Sequence, residues 1–158
     1  MFKITEGDFK NQIYGDESYL SNWPMLYILE NGKQVYIGES NHVKNRMSQH
    51  HSSLDKRIFD KVYFIYSSKF NQSVTFDYES KLIQYIVADE LYEVRNKNAG
   101  MADKEYYGKK EYDEKFQVLW RSLQREKLVK HSLEELENSD LFKYSPFKEL
   151  NSDQRTAV

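Results

Sequence analysis

Not one of the 158 residues is a cysteine. That absence rules out disulfides, zinc–thiolate sites and cysteine nucleophiles, and it agrees with a reducing cytoplasm. Long apolar runs are missing as well. No stretch approaches the roughly 18 to 20 residues that span a bilayer, and the segment from Met1 to Lys10 lacks the pattern of a signal peptide. A soluble, cytoplasmic chain without a membrane partner is expected. There are no internal repeats, no low-complexity tract and no Gly-x-x-x-x-Gly-Lys-Ser/Thr loop, so these residues are not expected to bind or hydrolyse ATP. The length suits one domain of ordinary size, large enough for a real core.

An excess of positive charge is also lacking, since the formal net charge is −2. Polyanion binding is driven by phosphate neutralisation, so the average argues against a nucleic-acid partner. The average hides local sign. Residues 31 to 61 carry six Lys/Arg (Lys33, Lys44, Arg46, Lys56, Arg57, Lys61) against Glu39, Asp55 and Asp60, and they include three of the four histidines. This segment is at +3 and the remainder at −5, a split that suits a protein offering phosphate one face only.

Two short apolar runs stand out: Pro24-Met25-Leu26-Tyr27-Ile28-Leu29 and, after Asn31-Gly32, Val35-Tyr36-Ile37-Gly38-Glu39-Ser40. Asn and Gly tolerate positive φ, so a hairpin with a two-residue turn is expected. Each strand carries a tyrosine. Ser40 or Asn41 can cap a following helix, on which Arg46 and His50 lie four residues apart on one face, while Val43, Met47 and Leu54 point to the core. Local structure alone thus gathers two phenols, a guanidinium and an imidazole.

In order, spacing and residue type this arrangement resembles the GIY-YIG nuclease family over roughly residues 24 to 98. Met25-Leu26-Tyr27 stands where the family has Gly-Ile-Tyr, keeping only the tyrosine, and Tyr36-Ile37-Gly38 matches the second motif in full. Arg46 and His50 match the family's helix arginine and the histidine or aromatic one turn later. Glu79 matches the metal-binding glutamate, and Asn96 follows that helix, with Asn98 competing for the same role. The resemblance implies metal-dependent cleavage of DNA. Glu79 would hold one Mg²⁺ or Mn²⁺, and Arg46, with Lys44 and Gly38, would meet the substrate. Tyr27 would orient or deprotonate the attacking water, His50 would take or position that proton, and Tyr36 would support the network. It also implies an α/β (α+β) fold: a small, mainly antiparallel sheet of three strands flanked by helices, with a C-terminal helical extension.

The rest of the chain is read around that unit. Residues 1–23 are polar with scattered aromatics and read as an N-terminal extension, residues 24–130 as the domain, and residues 131–158 as a tail. Lys61 to Ser67 reads as a third strand. From about Ser73 to Leu91 apolar residues recur at helical spacing, and Glu79 falls inside their stripe, where a carboxylate needs a cation, hydrogen-bond donors or an open cleft. A second helix is expected from about Asp113 to Leu128, burying Phe116, Leu119, Trp120 and Leu123, and a brief exposed helix at Glu134 to Glu137. In the tail, Leu150-Asn151-Ser152-Asp153-Gln154 looks like the opening of helicase-type ATPase domains, as if the chain were the nuclease part of a longer repair or defence protein.

Every one of these residues has a plainer explanation: strand tyrosines as packing, Arg46 as a solvated helix residue, Glu79 as a helix-dipole carboxylate, Asn96 as a turn residue. His50 and His51 do not make a zinc site, because adjacent helical residues diverge by about 100° and no cysteine can contribute. A nucleic-acid-binding or regulatory module that keeps the scaffold without cutting is the alternative, supported by the altered Met25-Leu26 and the acidic average. DNA versus RNA and the oligomeric state are left open.

Overall fold

A computed structural model describes residues 1–15, 19–97 and 104–139. The sheet has five strands where three were expected: β1 (Lys3–Asp8), β2 (Met25–Glu30), β3 (Gln34–Ser40), β4 (Lys61–Tyr66) and β5 (Glu93–Val94), in the order β1-β4-β2-β3-β5. All neighbours are antiparallel except β3 and β5, which run parallel. The helices are α1 (Tyr19–Asn22), α2 (Val43–His51), α3 (Gln72–Asp89), α4 (Lys109–Arg125) and α5 (Leu133–Glu137). Asn98 and the ATPase-like motif of the tail lie outside the described residues.

The two additional strands are at the edges, where sequence pattern is weakest. β1 comes from the segment expected to be an extension; it pairs residue for residue with β4, from Lys3 opposite Tyr66 to Asp8 opposite Lys61. Its charged, half-exposed composition is that of an edge strand, which avoids presenting an apolar template to other chains. β5 is two residues long, too short for any period to register. The hairpin turn also differs from expectation. It spans Asn31 to Lys33, with Gly32 at φ 91° and the Asn31 side chain accepting from the backbone N–H groups of Lys33 and Gln34. An Asx-type loop therefore replaces the two-residue turn.

Side chains alternate across β2, and both of its faces are covered. Met25, Tyr27 and Leu29 pack with Val43 and Met47 of α2 and with Phe59, Val62 and Phe64. Leu26 and Ile28 face the opposite layer with Tyr78, Leu82 and Ile86 of α3 and Phe116, Leu119, Trp120 and Leu123 of α4. The expected buried stripe of α4 is thus in place. Leu54 is not on the buried side of α2: that helix ends at His51, and Leu54 sits 74% exposed in a 3-10 turn.

α3 is capped by Asn71, whose side chain accepts from Val74 N–H, and it ends at Glu90 in the left-handed region. Its last residue, Asp89, is 1% exposed and accepts from Lys130 N–H (2.8 Å), His131 N–H (2.7 Å) and His131 Nδ1 (2.9 Å). Trp120 Nε1 donates to the His131 carbonyl, and Leu136 of α5 is buried. Residues 131–139 thereby lie against the core. Asp89→Ala is expected to lower the unfolding free energy by about 2–5 kcal/mol, because it strands buried donors that face a carboxylate. Urea denaturation of the variant checks this; a change below about 0.5 kcal/mol would show that the junction contributes little.

Candidate active site

Tyr27 and Gly38 face each other across β2 and β3. A Cβ on Gly38 would lie 2.3 Å from both Cζ and Oη of Tyr27, so the phenol ring rests on β3 where a side chain is missing. The ring is 2% exposed, and its hydroxyl ends 2.7 Å from His50 Nε2. His50 comes to that point from α2, one turn beyond Arg46. The Tyr36 ring, on the same side of β3, meets the imidazole edge-on at 5.2 Å between centroids. Lys56, from the 3-10 turn, stands 4.3 Å above the Tyr36 ring.

The protonation of the pair follows from its surroundings. Burial pushes the Tyr27 phenol well above the ordinary tyrosine range, so it keeps its proton. Burial, with the charges of Lys56 and Arg46 beside it, pulls His50 down to about 4. The imidazole is therefore neutral at pH 7, accepting at Nε2 from the phenol and carrying its proton on Nδ1. The pair is a neutral donor bonded to a neutral base.

The opposite face of β3 contributes carboxylates. Glu39 alternates with Gly38 and points toward α3, where Thr75 Oγ1 donates to its Oε2 at 3.4 Å. Glu79, one turn further along α3, accepts from the Glu39 backbone N–H and feels the Glu39 charge. Burial first, and Glu39 second, raise Glu79 to about 7; Glu39 is raised too, mainly by burial. Arg46 acts on all of them, favouring the charged forms of Tyr27, Glu39 and Glu79 and opposing a charge on His50. Two carboxylates, each made harder to ionise by burial, thus share the influence of one guanidinium. Among the described residues no three His, Cys, Asp or Glu side chains come together. A divalent cation held here would have Glu79 and Glu39 as its oxygen donors and would keep several waters, the habit of Mg²⁺.

Tyr27, Tyr36, Arg46, His50 and Glu79 are thus brought to one place. Glu79 is in the body of α3, inside its apolar stripe. Asn96 is nearby with a different occupation: its Oδ1 accepts from Ile37 N–H (3.2 Å) and its Nδ2 donates to the Ile37 carbonyl (2.6 Å), prolonging the β3–β5 ladder with a side chain. Lys44 is exposed on α2, and no described contact ties it to the group. Ser40 rather than a helix cap serves the turn, its hydroxyl accepting from His42 N–H. Sequence reading passed over Glu39, Thr75 and Lys56. Strand alternation places Glu39 opposite α3, a usable signal, whereas nothing local marks Thr75 or Lys56.

Gly38→Ala is expected to displace the Tyr27 ring, destabilise the protein by about 1–3 kcal/mol and break the bond to His50. Histidine NMR titration reads the last effect directly: His50 should move upward from about 4 as its pocket opens. No protein-family model matches the chain, and neither a curated protein nor a solved structure is similar enough to count as a match, so the reading of this site stands on its geometry.

Proposed function

We propose that this chain is a divalent-cation-dependent endonuclease of GIY-YIG type that hydrolyses phosphodiester bonds in DNA. The observation that supports this best is the 2.7 Å bond between Tyr27 and a neutral His50, next to Arg46 and the Glu39–Glu79 pair. Hydrolysis needs a nucleophile in line with the leaving oxygen, a proton acceptor and compensation of charge on phosphate. A water hydrogen-bonded to the Tyr27 oxygen passes its proton there as Tyr27 passes its own to His50 Nε2. The phenol never has to ionise, which its raised pKa would resist; the proton comes to rest on His50, where the negative charge developing on the phosphate has to offset the burial that lowers the imidazole. Arg46 offers its planar fork of donors to the non-bridging oxygens. Glu79, seconded by Glu39, would hold the Mg²⁺ or Mn²⁺. Bound there, the cation supplies the charge that relieves the leaving oxygen.

The depth of Tyr27, 2% exposed, favours a second reading in which the scaffold binds nucleic acid without cutting it. Incubating plasmid and linear duplex with Mg²⁺, Mn²⁺ or EDTA decides between them: cation-dependent nicking or linearisation supports the nuclease, and retention of the duplex without cleavage supports the binding module.

If the relay operates, Tyr27→Phe slows cleavage by about 10²- to 10⁴-fold, well beyond the effect of losing about 1–3 kcal/mol of stability by leaving the buried His50 Nε2 without its partner. A variant cutting at the unmodified rate would remove the phenol from the mechanism. Arg46→Ala should abolish cutting, whereas Arg121→Ala, exposed on α4, should not.

Glu79→Gln should be inactive yet more stable above neutrality. In the folded chain Glu79 sits at about 7, above its ordinary 4.5. Between those values the folded state holds a proton that the unfolded state has released, so stability falls as pH rises through this window. The glutamine variant lacks that loss. In EDTA its Tm advantage over the unmodified protein should grow from pH 5 to pH 8, and Mg²⁺ at pH 8 should raise the Tm of the unmodified protein only. Undiminished Mg²⁺-dependent cutting by Glu79→Gln would show that the ligand is elsewhere.

A further inference from the structure

Beside the Tyr36 ring lies a cavity of about 200 Å³ lined by Tyr36, Asp55, Lys56, Phe59 and Arg95. None of the catalytic roles above uses Lys56, Arg95 or Asp55. The cavity is bounded by the 3-10 turn on one side and by the residue after β5 on the other. Phe59 and Tyr36 give it an aromatic wall. Its cations are differently held. Lys56, with its side chain 13% exposed, is fixed by the Tyr36 face (4.3 Å) and by Asp55 Oδ2 (2.8 Å). Arg95 is exposed, its backbone N–H tied to the Val35 carbonyl at 2.8 Å, and its guanidinium meets no carboxylate among the described residues. Asp55 is the one acid opposing them. It is itself occupied by Lys56 and Ser53, which hold its carboxyl down at about 2.

The geometry points to a subsite for a phosphodiester of the nucleic-acid strand, next to the one that is cut. The volume equals that of about six or seven waters, enough for a phosphate group. A cavity with two cations to one paired acid selects an anion. The Arg95 fork suits the tetrahedral oxygens of phosphate, and Lys56 adds a fixed point charge. The cavity shares the Tyr36 ring with the catalytic group, so a strand whose scissile phosphate meets Arg46 can lay a neighbouring phosphate against Arg95 and Lys56. Phosphate contacts of this kind set register and carry no sequence preference. The cavity therefore positions the strand while Arg46 and His50 act on it. The identity of the ligand as a nucleic-acid strand rests on the nuclease reading above; the cavity and its charges do not.

Binding in EDTA tests the subsite without requiring cleavage. A fluorescein-labelled DNA duplex is titrated with the full chain and with Arg95→Ala, Lys56→Gln, Asp55→Asn and Arg121→Ala across a NaCl series. Arg95→Ala should bind about tenfold more weakly at low salt, and its plot of log affinity against log salt should be shallower by about one, the signature of one lost phosphate contact. Lys56→Gln should act in the same direction, Asp55→Asn should bind more tightly, and Arg121→Ala should match the unmodified protein. With Mg²⁺ present, Arg95→Ala should raise KM while kcat stays within about twofold. An unchanged affinity and salt slope for Arg95→Ala would overturn the subsite even if the protein cuts DNA. A duplex that binds and responds to Arg95→Ala but is never cut would leave the subsite standing and remove the nuclease. Absence of duplex binding at low salt would overturn both. If inorganic phosphate below about 1 mM, at constant ionic strength, cancels the difference between Arg95→Ala and the unmodified protein, the cavity serves free phosphate and the strand assignment falls.

Discussion

Everything at this site depends on the close approach of the Tyr27 ring to the backbone of Gly38. A tyrosine on a central, doubly covered strand would ordinarily direct its hydroxyl to the rim of the sheet, where water satisfies it. Here the neighbouring strand withholds a side chain, the ring lies down across the gap, and the hydroxyl is delivered to an imidazole inside the fold. The burial that results has two consequences at once. It keeps the phenol protonated and it keeps the histidine unprotonated, so donor and acceptor are matched without any charged partner. Polarity has been placed in the core in a form that is already satisfied.

The second organising fact is that β3 serves two environments through alternation. Tyr36 and Gly38 belong to the layer of α2, with its aromatic and basic neighbours, and Glu39 belongs to the layer of α3, with Thr75 and Glu79. Arg46 is where the two layers meet electrostatically, close enough to influence the phenol, the imidazole and both carboxylates. A single arginine serves two half-buried acids, and burial raises both above the ordinary carboxylate value.

What the sequence made legible, and what it did not, divides by length and range. The hairpin was readable as two apolar runs around Asn31-Gly32, and α3 and α4 because each repeats an apolar period; Phe116, Leu119, Trp120 and Leu123 sit where that period puts them. β1 was unreadable because an edge strand is paired on one side and carries charge on purpose, and β5 because two residues have no period. Leu54 was misplaced because α2 ends one turn sooner than its spacing suggested. At the site, Tyr27, Arg46, His50 and Glu79 were legible as an ordered series of residue types. Lys56 and Arg95 were not, since they approach Tyr36 from a turn and from the end of the shortest strand, and only the fold brings those two places together.

The amide of Asn96 carries a separate implication. It completes both hydrogen bonds of Ile37, the residue immediately before Gly38, so it stands in for a strand residue that the chain does not supply. Aspartate would repel the Ile37 carbonyl, glutamine is one methylene too long, and alanine leaves both backbone groups open. The position accepts one residue type for reasons of backbone support alone. A substitution at Asn96 would therefore be felt first in the peptide groups beneath Tyr27, and through them at the ring and its partner imidazole.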